Sequence, residues 1–223
     1  MSHLITIMSI EAVTHDVRRF RTTRPRNYTF EPGQACEMNL RKPGWEEEKR
    51  PFTFTSLPNT DYLEFTIKQY DEHDGVTKEL ARAAVGDELE ISDAWGTIEY
   101  KGPGTFIAGG AGITPFIAIL RKLKADNALP GHRLIFANKR ERDIIIRDEL
   151  EGAMPGLKTV YVLSQQKRGD GFEHGHVDAG LLKRRIDDFS QRFYVCGPKA
   201  MQDQVMQDLK ELGADPDGLV FEK

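Results

Sequence analysis

The residues with the plainest chemical purpose form one run, Gly109-Gly110-Ala111-Gly112-Ile113-Thr114-Pro115. Its glycines lack the Cβ atoms that keep a ligand off the main chain, and they reach backbone angles closed to other residues. Thr114 has the hydroxyl of a helix cap and Pro115 suits the first helical position. The run therefore predicts free amides and the positive end of a helix dipole facing one anion, which is how a nucleotide pyrophosphate is held. The dinucleotide fingerprint has its third glycine where this chain has Pro115, so the pattern is a departure from it. A tight turn between a core strand and a core helix accounts for the same residues. Gly75-Val76-Thr77 offers the same chemistry again, with Thr77 as cap and Lys78 to Ala84 as helix. Cys196-Gly197-Pro198 repeats the first loop's logic: a glycine turns the chain, Pro198 opens a helix, and Cys196 is fixed at a strand end. There it meets a ligand or is simply a small buried hydrophobe.

These loops need two kinds of scaffold. Before Lys101, short β-rich runs separated by turn residues include Ile5 to Ile7, Gln34 to Leu40, Arg50 to Ser56, Leu63 to Tyr70 and Leu89 to Ile91. In the fourth, Phe65 and Ile67 share one face, Thr66 and Lys68 the other. Six such strands with one helix among them predict a small antiparallel barrel. Lys101-Gly102-Pro103-Gly104 is a natural boundary, which divides the chain into 1–101 and 102–223. Beyond it, strands at Phe106 to Ala108, Arg133 to Ala137, Thr159 to Leu163, Arg192 to Cys196 and Leu219 to Phe221 alternate with helices. The helices are placed at Pro115 to Lys124, Asp143 to Leu150, Asp178 to Ile186 and Pro198 to Leu212. Five strands with crossover helices predict a doubly wound parallel sheet, whose ligands sit past the carboxyl ends of the strands. The residues there are Gly109 to Thr114, Asn138 to Arg140, Ser164 to Arg168 and Cys196 to Pro198.

Bulk composition narrows the classes. The chain has 223 residues, 39% hydrophobic and 30% charged, with a net charge of −4. That is a globular composition, and it argues against nucleic acid as the main partner. No apolar stretch is long enough for a membrane helix and no secretory leader is visible, so a cytoplasmic protein is expected. Cys36 and Cys196 are too few for a four-cysteine zinc or iron–sulfur site, so any electron carrier must be organic or held by other residues. His174 and His176 lie in a glycine-rich loop without convincing further ligands, and no metal is expected.

Taken in order, the motifs resemble those of the ferredoxin–NADP reductase superfamily, particularly its flavodoxin or ferredoxin reductase and oxygenase-reductase branches. The resemblance covers essentially the whole chain. The flavin motif Arg-x-Tyr-Ser/Thr appears as Arg50-Pro51-Phe52-Thr53, and the flavin-diphosphate motif as Gly75-Val76-Thr77. The nicotinamide-side loop appears as Gly109 to Pro115, and the Cys-Gly-Pro-x-x-Met signature as Cys196, Gly197, Pro198 and Met201. The resemblance implies a flavin-binding barrel followed by a nucleotide-binding α/β domain. It also implies an enzyme that passes electrons from NADPH or NADH through FAD to a separate acceptor such as a flavodoxin, a ferredoxin or an oxygenase component. On that reading Arg50 pairs with the flavin diphosphate, Phe52 packs along the flavin, and Thr53 offers its hydroxyl to ring nitrogen N5. Phe52 stands where the family usually has tyrosine, which removes one hydroxyl bond. Lys68, Gly75, Val76 and Thr77 complete the flavin side. Gly110, Gly112, Thr114, Pro115, Asn138, Ser164, Gly197, Pro198 and Met201 form the coenzyme side, with Thr114 and Cys196 flanking the nicotinamide. Thr53, Cys196 and the acidic Glu222 are the implied catalytic positions, and Lys167 or Arg168 either meets a 2′-phosphate or is an ordinary solvated pair. The basic clusters Arg18 to Arg26 and Lys183 to Arg185 are either docking sites for an acidic partner or ordinary solvated faces. A monomer is expected. A flavin-binding subunit or redox sensor that does not turn over is the alternative.

Overall fold

The computed structural model describes residues 1–70, 75–96, 98–167 and 169–221, with the backbone alone at Phe221. In the first half, strands β1 (Ser2–Ala12), β2 (Val17–Thr23), β3 (Gln34–Leu40), β4 (Arg50–Thr53), β5 (Tyr62–Lys68) and β6 (Glu88–Ser92) form an antiparallel sheet. The strand order is β4-β3-β6-β1-β2-β5, and the two-residue β7 (Trp95–Gly96) pairs with β3. The ends of the sheet meet, because Phe54 bridges Phe65 and the Thr55 N–H donates to the Glu64 carbonyl at 2.8 Å. The expected six-stranded barrel is therefore present, nearly closed. Its inside follows the period of two: Ile5 and Ile7, Cys36 and Met38, Leu63, Phe65 and Ile67 all point into one core. On β5 the opposite face is buried as well, Glu64 to 1% and Thr66 to 5% exposure, because the second half covers it.

Helix α1 (Val76–Leu80) interrupts the barrel. It differs from the expected helix at 78–84. Val76 and Leu80, one turn apart, are its buried anchors, so Gly75 takes the cap position in extended conformation and Thr77 falls inside the first turn. After Leu80 the hydrogen bonds tighten to three-residue turns, Arg82 to Glu79 and Ala83 to Leu80, and the helix stops.

In the second half a parallel sheet holds β8 (Gly104–Gly109), β9 (Arg133–Asn138), β10 (Lys158–Leu163), β11 (Phe172–His174), β12 (Arg192–Cys196) and β13 (Leu219–Phe221), in the order β11-β10-β9-β8-β12-β13. Helices α2 (Thr114–Ala125) and α3 (Arg147–Gly152) cover one face, α4 (Ala179–Arg185) and α5 (Lys199–Glu211) the other. Phe106 and Ala108 belong to the first core and Ile107 to the second, as expected of a strand buried on both sides. The sheet has six strands where five were expected. The extra one, β11, is three residues long and framed by Gly171 and Gly175, so its composition reads as loop; only its pairing with β10 makes it a strand.

Two helix starts also differ from expectation. A 3₁₀ turn over Gly110–Ile113 runs directly into α2, so Thr114 is already helical and Pro115 is second. The Thr114 hydroxyl donates to the Ala111 carbonyl at 2.9 Å and caps no amide. The helix expected at 143–150 is replaced by a 3₁₀ turn (Glu141–Asp143), an extended Ile144, a turn at Ile145-Ile146, and α3. Three consecutive isoleucines, 144 to 146, are all buried, which no single helix face can achieve; Ile146 takes a left-handed conformation, φ 51°, to turn the chain.

The halves are pinned at several points. Gly33 (φ 94°) lets its carbonyl accept from the Ile98 N–H at 3.2 Å, beneath Ile119 of α2. In the connecting segment the Tyr100 hydroxyl meets His132 Nε2 at 2.9 Å, and Tyr194 bonds both Lys101 N and Gly102 O. The basic run at 18–26 is largely spent within the barrel. Arg18 donates to the Ala81 carbonyl, Arg19 to Glu11, Arg21 to Glu64, and Arg24 to the carbonyls of Tyr28, Pro58 and Thr60. Arg184 and Arg185 likewise pair with Glu173.

Candidate active site

Between the halves lies a cleft of about 410 Å³. Its barrel wall is made by Arg50, Pro51, Phe52 and Thr53 of β4, by Thr66, Ile67 and Lys68 of β5 with Tyr70 beyond, and by Gly75, Val76 and Thr77 at the start of α1. Ala111 and Thr114 form the facing wall. Every barrel residue assigned from the sequence therefore lies on one surface. Three more lining residues, Thr66, Ile67 and Tyr70, went unassigned, although Thr66 shares the Lys68 face of an alternating strand and was legible there. Ala111 was hidden between glycines.

Phe52 packs against the barrel core, and the Thr53 hydroxyl makes no hydrogen bond among the described residues. Arg50 is exposed at the mouth, donating to the Lys49 carbonyl at 2.7 Å and to Glu48 at 3.3 Å, both replaceable surface contacts. Lys68 Nζ stands 2.9 Å from Asp16. Burial pushes the Asp16 carboxyl up, but hydrogen bonds from Lys68 and Thr14 outweigh it and hold the group below its ordinary 3.8.

The remaining assigned residues gather at the carboxyl edge of the parallel sheet, where the strand order reverses between β8 and β12. A Cβ on Gly112 would lie 2.5 Å from the Cys196 carbonyl carbon and 2.6 Å from Gly197 N. A Cβ on Gly109 would lie 2.5 Å from Met201 Sδ and 2.9 Å from Pro198 Cδ, so the two loops touch backbone to backbone. Gly110 (φ 52°) faces open space. Cys196 is buried, and Gly197 takes φ 158° against Gly109. Further along the edge the Ser164 N–H donates to the Asn138 carbonyl at 3.0 Å. The Asn138 amide is buried, and neither its nitrogen nor its oxygen has a partner among the described residues. Pro115 is buried in the first turn of α2. Arg168, Glu222 and Lys223 lie outside the described residues, so the implied catalytic position at Glu222 has no structural description.

These surfaces fit two nucleotide cofactors. The cleft has the size of a ligand site. The floor at Gly75 is open, since a Cβ there would meet nothing within 4 Å, and Arg50 lines the same cleft as the start of α1, a pairing of guanidinium and helix start that suits a diphosphate. On the other side, the orphaned amide of Asn138 is a buried polar group whose missing partners a bound nucleotide would supply.

Two family models divide the chain between them: an oxidoreductase FAD-binding domain matches residues 4–100, and an oxidoreductase NAD-binding domain residues 106–207. The chain belongs to the ferredoxin–NADP reductase superfamily. Among similar proteins, the reductase component of propane 2-monooxygenase from Rhodococcus jostii (strain RHA1) is 26% identical over 97% of this chain and 62% of its own length. The ferredoxin–NAD(P)(+) reductase component of the naphthalene 1,2-dioxygenase system from Pseudomonas putida is 24% identical, over 95% of this chain and 66% of its own. The chain thus spans less than two thirds of the length of these relatives. Among solved structures, the CS-b5R domains of human Ncb5or in the NAD+ form superpose with a TM-score of 0.84 at 28% identity, covering 98% of this chain and 68% of that one. As in other members of the superfamily, then, the barrel is a flavin-binding fold and the parallel sheet a nicotinamide-nucleotide-binding fold. Among the described residues no helix is long and apolar enough to cross a membrane, and no cluster of side chains is arranged to hold a metal ion.

Proposed function

We propose that this superfamily member is an NAD(P)H-dependent flavoprotein reductase that delivers electrons to a separate acceptor. The observation that carries the reading is the composition of the cleft: Thr53 and Thr66 from the barrel face Ala111 and Thr114 from the nucleotide half across one volume. FAD bound there supplies a ring that accepts hydride from the coenzyme and gives up electrons singly. The chain's own work is to bind, orient and exclude water. The first-turn amides of α1 and the Arg50 guanidinium hold the diphosphate. Phe52 would supply a flat apolar face to the flavin, and the Thr53 hydroxyl, without a partner among the described residues, would be free to donate to a ring nitrogen of it. Lys68, tethered by Asp16, adds a positive charge beside the ring system. On the other side Gly109 to Pro115, Asn138, Ser164, Cys196-Gly197-Pro198 and Met201 seat the coenzyme, with Thr114 and Cys196 beside the nicotinamide. No side chain has to move a proton.

Residues 1–101 serve as the flavin unit and 102–223 as the coenzyme unit, which is supported by the change of sheet between Gly96 and Gly104. The acceptor is a flavodoxin, a ferredoxin or an oxygenase component, as the two oxygenase-system relatives suggest, and the chain works as a cytoplasmic monomer. The deciding experiment mixes FAD-reconstituted protein anaerobically with NADH and with NADPH and follows the visible flavin band by stopped flow. Rapid bleaching by either coenzyme is the expected result and also gives the preference between them. Bound flavin that neither coenzyme bleaches would overturn the reading and leave a flavin-binding subunit.

A further inference from the structure

The walls of the cleft belong to different sheets, so something must hold them at a fixed separation. Thr114 lines the cleft at the start of α2, and seven residues on, two turns along the same helix face, stands Arg121. Its Nη1 donates to the Thr55 carbonyl at 2.6 Å and to Glu64 Oε1 at 2.6 Å, both on the barrel. Its Nε and Nη2 donate to the two oxygens of Glu149 on α3, at 2.7 and 2.8 Å. The Glu64 side chain is 2% exposed, and its second oxygen accepts from Arg21 at 3.1 Å. The Thr55 hydroxyl donates to Glu64 Oε1 at 3.0 Å and lies 3.2 Å from the Thr66 hydroxyl, which reaches the cleft. An unbroken set of bonds thus runs from the flavin wall at Thr66, through Thr55, Glu64 and Arg121, up α2 to the coenzyme wall at Thr114.

We propose that Arg121 and Glu64 are positioning residues that set the distance and register between the two cofactor surfaces. The inference rests on the reductase reading above. A buried ion pair is a poor source of stability compared with apolar packing of the same volume, so stability alone does not account for this one. What the guanidinium adds is direction. Its planar fork fixes two bonds to Glu149 and two to the barrel at once, which a lysine's point charge cannot do and an apolar contact, free to slide, cannot do either. Transfer between two bound cofactors depends steeply on their separation, since a misplacement of about 1 Å costs on the order of a hundredfold in rate.

The test compares Arg121→Lys and Glu64→Gln with wild type and with Lys122→Met, a control that removes the exposed Lys122–Asp126 pair on the same helix. Three quantities are read: hydrogen exchange of segments 55–66 and 111–121 in the ligand-free protein, the limiting rate of flavin bleaching against the coenzyme Kd, and the isotope effect with coenzyme deuterated at the transferred position. In Arg121→Lys and Glu64→Gln we expect faster exchange in both segments, a limiting rate lower by about tenfold or more with the Kd within about twofold, and a changed isotope effect. Lys122→Met matches wild type throughout. Unchanged exchange with an unchanged limiting rate would overturn the proposal, and so would a rate loss explained entirely by lost flavin. Two variants guard against one failing to fold. If wild-type flavin is not bleached by either coenzyme, the reductase reading falls, and the exchange measurement decides the positioning role alone: faster exchange in both segments supports it, and unchanged exchange overturns it.

Discussion

At Gly112 a single hydrogen in place of a methyl group holds the coenzyme side together. A Cβ would meet the Cys196 carbonyl carbon at 2.5 Å, and both partners are main chain, so neither can rotate away. Gly112→Ala must push the Cys196-Gly197 turn outward. The expected result is a coenzyme Kd raised by about tenfold or more, roughly 1.4 kcal/mol, with flavin content unchanged; isothermal titration of the flavin-loaded protein reads it. Thr53 makes the complementary case on the barrel. Its hydroxyl has no partner among the described residues, so Thr53→Val should leave the fold intact and remove the proposed bond to the flavin, worth about 1.5 kcal/mol when the acceptor gains charge. A fall of about tenfold in the limiting bleaching rate, with unchanged melting temperature, is the expected outcome in stopped flow. Residues of this kind were legible in the sequence because their chemistry is local: glycines, a proline and hydroxyls at fixed spacing. Arg121 and Glu64 were not, because their meaning comes from elements that meet only after folding. Nothing in the runs around them distinguishes a solvated charge from one enclosed between two sheets.

Elements were legible where periodicity alone decides them. The alternating β5 and the apolar β8 stand where the sequence places them, whereas β11 was missed because three residues between glycines carry no period of their own. The start of α3 was misplaced for a related reason: burial of Ile144, Ile145 and Ile146 in succession overrides the helical pattern around them. The foot of the parallel sheet supplies a further test. His132 is 2% exposed; its Nδ1 lies 3.1 Å from the Leu129 carbonyl, and its Nε2 meets the Tyr100 hydroxyl. Burial pushes the imidazole below its ordinary 6.5, more than the neighbouring backbone carbonyls raise it. The unfolded chain therefore takes up this proton first as pH falls. Stability from this group is flat above about pH 6.5 and declines below it. His132→Gln, which has no proton to gain, should lose less melting temperature between about pH 7.5 and 5.5 than wild type. Parallel slopes in calorimetry would exclude His132 as the source.

Across the whole molecule, the ties at Gly33, Tyr100 and Arg121 make the two sheets one mechanical body. FAD at about 100 times its Kd stabilises the protein by about 2.7 kcal/mol. If the ties transmit this, protection from hydrogen exchange rises not only in the barrel but along α2 and β8, which the flavin does not build. Protection confined to residues 1–96 would show that the halves open independently. Glu64 is one source of the body's sensitivity to acid. Burial raises its carboxyl, but Arg121 and the other arginines outweigh that and hold it below the ordinary 4.5, so the stability it contributes is present above about pH 4.5 and is lost as pH falls through the lower folded value. The arginines at 18–26 carry one last consequence. Arg19 and Arg21 face glutamates, Arg184 and Arg185 face another, and the whole chain carries −4. Its net charge gives it, at long range, the field of a weak anion. On the proposed reading, an acceptor arriving by diffusion is expected to be met at the ordinary encounter rate of about 10⁵ to 10⁶ M⁻¹s⁻¹, with slight dependence on ionic strength, which stopped-flow mixing across a salt series checks.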